Sequence, residues 1–74
     1  MTERRRYEPD TPIYFPDEIP QHAQIEGLPL PEAIAPDTEG SVVRDNGGDV
    51  VDVTIPGYPL DILPIPPQFI RPNN

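Results

Sequence analysis

Thirteen of the 74 residues are proline, at positions 9, 12, 16, 20, 29, 31, 36, 56, 59, 64, 66, 67 and 72. Each proline fixes its own φ, removes a backbone donor and pushes the residue before it toward extended geometry. Only residues 37–55 run on for any length without one. A helical domain is excluded on this ground, and a regular ladder has only that stretch to grow in. The expected fold is therefore mostly irregular and extended, with little secondary structure. It has one short β-hairpin around residues 41–55 and is ordered mainly by partner chains.

Three stretches differ in character. Residues 1–36 form an acidic, proline-rich arm. Within it residues 20–27 are compatible with a short helix, since Pro20 suits a first helical position and Gly27 suits the position after the last. Residues 37–55 comprise a polar linker and the hairpin. There Asn46-Gly47 lies between β-branched runs, a hairpin signal. Val51, Val53 and Ile55 share one face of the second strand, and Asp52 and Thr54 the other. Residues 56–74 are an apolar, proline-rich tail with one acid, Asp61, and one base, Arg71. No internal repeat is visible.

The net charge is −8, from 13 acids and 5 arginines. Affinity for nucleic acid rests on cationic contacts, so a nucleic-acid partner is not expected. An anionic membrane repels the chain for the same reason. The acidity matches solubility or a basic partner surface. With no cysteine there is neither a disulfide nor a thiolate metal site. No apolar run approaches the ~20 residues of a membrane span. The basic start, Arg4-Arg5-Arg6, is not followed by an apolar stretch, so neither a signal peptide nor membrane insertion is expected.

His22 is the single histidine, and no motif for phosphate, metal or nucleophile chemistry occurs. No catalytic, cofactor-binding or metal-binding residue is assigned, and no enzymatic activity is expected. The candidate functional residues are instead the apolar ones that an extended ribbon would press into a partner. They are Ile13, Tyr14 and Phe15, bracketed by prolines; Val51, Val53 and Ile55 on the hairpin; and Tyr58, Leu60, Ile62, Leu63, Ile65, Phe69 and Ile70 along the tail.

The function expected from these features is that of a non-enzymatic structural accessory protein. It lies over larger subunits of an assembly and staples them, as a minor component of a virion (phage capsid, neck or tail) or of a cytoplasmic assembly. Two alternatives come from other classes. Three P-x-x-P matches, at 9–12, 56–59 and 64–67, suit a ligand of SH3-type grooves. A small β-rich spike or fibre module would instead pair with neighbouring copies of itself.

Overall fold

Seven short strands and a single 3₁₀ turn order the described residues, and the prolines punctuate them. A computed structural model describes residues 5–73. The strands are β1 (Pro12–Phe15), β2 (Gln24–Ile25), β3 (Leu28–Pro29), β4 (Thr38–Arg44), β5 (Val51–Thr54), β6 (Leu63–Ile65) and β7 (Arg71–Pro72), with the 3₁₀ turn at Pro67–Phe69. Five of them form an antiparallel sheet in the order β6-β5-β4-β1-β7, while β2 and β3 pair separately. The expectation of a mostly irregular, extended chain ordered by partners is thus overturned. The Cα radius of gyration is 11.6 Å. A globular chain of this length has about 11 Å, and an unfolded one more than twice that.

The prolines fit this sheet because of where they fall. The long central strand β4 contains none, and β5 beside it contains none. Pro12 opens β1, and Pro64 and Pro72 sit in the two outermost strands. Val42 donates its N–H to the Thr11 carbonyl (2.9 Å) and accepts from the Asp10 N–H (2.7 Å), so its backbone groups face β1. Val53, opposite Val42, must then turn its own groups toward β6, which leaves Pro64, opposite Asp52, with its nitrogen on the open side. Asn73 donates to the Pro12 carbonyl (2.9 Å), which likewise leaves the Pro72 nitrogen facing outward. A proline is tolerated in a sheet only where no ladder donor is required, and these positions satisfy that condition.

Other prolines make corners. Three turns have proline second and a positive-φ residue third, the type II arrangement: Pro9-Asp10 (φ 68°), Pro36-Asp37 (φ 65°) and Pro56-Gly57 (φ 81°). Each is closed by a backbone hydrogen bond, Thr11 to Glu8, Thr38 to Ala35 and Tyr58 to Ile55. The first two share the sequence Pro-Asp-Thr and the same extra bond: the threonine Oγ1 donates to the carbonyl that starts the turn, at 2.6 Å for Thr11 and 2.7 Å for Thr38. One leads into β1 and the other into β4, and these two strands then pair with each other. A short repeated device therefore exists where none had been visible.

The helix considered over 20–27 does not form. His22 takes φ 69° in a turn closed by Ala23 N–H to the Pro20 carbonyl. Glu26 (φ 51°) and Gly27 (φ 78°) make the two-residue turn between β2 and β3, a type I′ hairpin. Two helical turns are marginal in water. The hairpin instead carries residues 16–37 out and back as an excursion, tied across by mutual Ile19–Ile34 hydrogen bonds of 2.9 and 2.8 Å.

The expected hairpin at 41–55 is present, with Val42 opposite Val53 and Ser41 opposite Thr54. Its loop is longer than an Asn-Gly turn, spanning residues 45–50, and a bulge at Val43 leaves that side chain exposed. The core lies between the sheet and the excursion. From the sheet side come Ile13, Phe15, Val42, Val51, Val53, Ile55, Leu63, Ile65 and Ile70, and from the excursion Ile19, Ile25, Leu30 and Ile34. Among the described residues no polar or charged side chain is buried. No helix among them is long and apolar enough to cross a membrane.

Candidate functional site

Eight of the thirteen apolar candidates are in the chain's own core: Ile13, Phe15, Val51, Val53, Ile55, Leu63, Ile65 and Ile70. Alternation along each strand explains this, since one face of the sheet meets the excursion. Tyr14, Tyr58 and Leu60 are half-buried, and only Ile62 (51% exposed) and Phe69 (37%) stand out at the surface. Their apolar area is therefore largely spent on internal packing. Strands β4 and β5 each have a neighbour on both sides.

The three P-x-x-P segments are likewise folded in. Residues 9–12 and 56–59 contain type II turns, and 64–67 begins in β6. The Tyr58 hydroxyl donates to the Glu32 carbonyl and accepts from the Glu32 N–H (3.4 Å), clamping the β5–β6 connection to the excursion. Of the basic run, Arg4 lies outside the described residues. Arg5 and Arg6 are exposed and line an open groove of about 710 Å³ with Tyr7, Glu8, Thr11, Pro67 and Pro72.

The feature that sequence reasoning passed over is the placement of the acids. Glu8, Asp10, Asp17, Glu18, Glu26, Glu32, Asp37 and Glu39 are all exposed, and no arginine falls between Arg6 and Arg44. Five of these acids belong to the excursion, whose four buried aliphatics point the other way, into the core. Its exposed charged side chains are thus carboxylates, with no arginine or lysine among them. A shallow concavity beside it, lined by Tyr14, Asp37, Glu39 and Asn73, continues the acidic character. There the Asn73 Nδ2 donates to Glu39 Oε1 at 2.6 Å and orients that carboxylate. The run of acids without arginine or lysine between residues 8 and 39 was readable in the sequence. What the fold adds is that all eight face water.

His22 is exposed in its turn. Among the described residues no three His, Cys, Asp or Glu side chains are grouped so as to hold a metal ion. Comparison with family models, with curated proteins and with solved structures finds no match.

Proposed function

We propose that the chain is a non-catalytic accessory protein of a larger assembly, a small β-module docked through its acidic excursion on a basic surface of another protein subunit. The observation that carries this reading is the row of eight exposed acids from Glu8 to Glu39, with no arginine or lysine among them. Such a surface repels phosphate backbones and anionic lipid. It steers and orients the approach of a cationic protein face, where charge complementarity governs partner choice and association rate. The hairpins that present it are pinned by backbone bonds and by the Tyr58 clamp, so little order remains to be imposed on docking.

A photo-crosslinking residue at exposed Gln24, on the excursion, tests the reading in cells of the source organism, with exposed Ile62 as the control position. Crosslinks from position 24 to a basic protein are expected. They should disappear in the triple variant Glu18→Gln, Glu26→Gln, Glu32→Gln and weaken at high salt. Crosslinking from position 24 that is indifferent to neutralisation would overturn the proposal.

A further inference from the structure

The loop 45–50 contains Asn46-Gly47. With no Cβ, glycine offers the least hindrance to attack by its own backbone nitrogen on the side chain before it. Asn46 is exposed, and Gly47 sits at φ 79°. Asp45 holds the loop through both carboxylate oxygens. Oδ1 accepts the Gly47 N–H at 2.8 Å, and Oδ2 accepts the Tyr7 N–H at 2.7 Å. The Arg6 side chain lies across Gly47, its Nε 2.5 Å from where a Cβ would stand.

We propose that Asn46 is a site of spontaneous covalent modification, converting to isoaspartate and aspartate through a cyclic imide with Gly47. The clasp of the Tyr7 and Gly47 amides on Asp45 sets the rate. In the first step the Gly47 nitrogen loses its proton to base and attacks the Asn46 Cγ. The new N–Cγ bond closes the ring, and the Cγ–Nδ2 bond breaks. Nδ2 takes up a proton and leaves as ammonia. Water then adds to either imide carbonyl. Opening at Cγ restores the ordinary backbone with an aspartate. Opening at the main-chain carbonyl gives isoaspartate, which lengthens the loop backbone by one atom. Either product adds one negative charge to the existing −8.

Asp45 acts as a brake. Its carboxylate binds the proton that must leave and opposes the negative charge forming on the Gly47 nitrogen, as a like charge does for any acid. Each tenfold by which it lowers the acidity constant of that N–H lowers the reactive anion about tenfold. The Tyr7 amide holds the carboxylate in place, so detachment of the N-terminal arm weakens the brake.

The full-length chain is incubated at mildly alkaline pH in buffer and in concentrated urea. Peptide mass spectrometry and enzymatic isoaspartyl methylation locate and count the product. Product is expected at Asn46, forming about tenfold more slowly in buffer than in urea. Asp45→Asn should accelerate it in buffer and leave the rate in urea unchanged. Tyr7→Pro, which deletes the amide held by Asp45 Oδ2 and keeps Arg6, should also accelerate it in buffer, which keeps the test decisive if Asp45→Asn does not fold. Equal wild-type rates in buffer and urea, absence of product at Asn46, or a Tyr7→Pro chain that reacts at the parent rate in buffer would each overturn the proposal.

Discussion

Gly40 illustrates how tightly single residues are constrained here. A Cβ built on it would stand 2.5 Å from the backbone oxygen of Thr54, at the pairing of β4 with β5. Backbone cannot yield as a flexible side chain can, so Gly40→Ala should cost about 1–3 kcal/mol. Urea denaturation with unchanged m-value checks this. Tyr58→Phe removes the hydroxyl that clamps Glu32 and should cost about 0.5–1.5 kcal/mol by the same measurement. Arg44 and Asp52 are different. They lie 3.7 Å apart across β4 and β5, with the arginine side chain 68% exposed. An exposed pair of this kind contributes little, and Arg44→Gln should change stability by less than about 1 kcal/mol.

At the scale of elements, the prolines take opposite roles depending on position. In a central strand each would delete a ladder bond; at the rim each deletes a donor that would otherwise invite another chain. Pro64 and Pro72 occupy the outward positions of β6 and β7, and Pro29 does the same on β3, where Leu30 takes up the inward bond to Ala23. Both sheet edges are therefore short and blunted against edge-to-edge pairing. Pro64→Thr restores a donor on the open edge of β6. The expected result is little change in stability with a measurable gain in self-association by analytical ultracentrifugation; a variant as monomeric as the parent would contradict this role for Pro64. The sequence pattern carried part of this. The β4–β5 hairpin and the inward face of Val51, Val53 and Ile55 were legible from alternation and from the proline-free stretch. Gly27 was legible as a special position but was assigned to a helix end, because a positive φ serves a helix terminus and a type I′ turn equally well. The Pro-Asp-Thr corners are not legible in this way, because an aspartate after proline does not announce a positive φ as a glycine does.

For the whole molecule, the gap between expectation and structure comes from long-range pairing. Strands β1 and β7 lie near opposite ends of the chain yet pair, at Ile13 with Pro72 and Tyr14 with Arg71. No local pattern announces a partnership of that separation, nor that eight apolar candidates would find cover within the chain. The acidic surface was legible as composition, and the exposure of all eight acids required the fold. Eight exposed acids on one part of a chain of charge −8 repel one another. Raising ionic strength from about 0.01 to about 0.15 M shortens the screening length from ~30 to ~8 Å. The melting temperature should rise accordingly, and a gain of 1 kcal/mol corresponds to about 4–8 °C in a domain of this size. The triple glutamine variant should show a smaller rise.

The central claim is that this proline-rich chain folds by itself, with the excursion closing over the sheet. Urea unfolding of the isolated protein, followed in parallel by far-ultraviolet circular dichroism and tyrosine fluorescence, tests it most directly. The expected result is one sigmoidal transition, coincident by both probes, with an m-value of about 1 kcal/mol/M. Leu30→Ala, which empties a fully buried position between excursion and sheet, should shift its midpoint down by about 2–5 kcal/mol of stability or abolish the transition. A gradual, non-cooperative change with urea in the unsubstituted chain would contradict the claim and return the protein to the class of chains that only a partner orders.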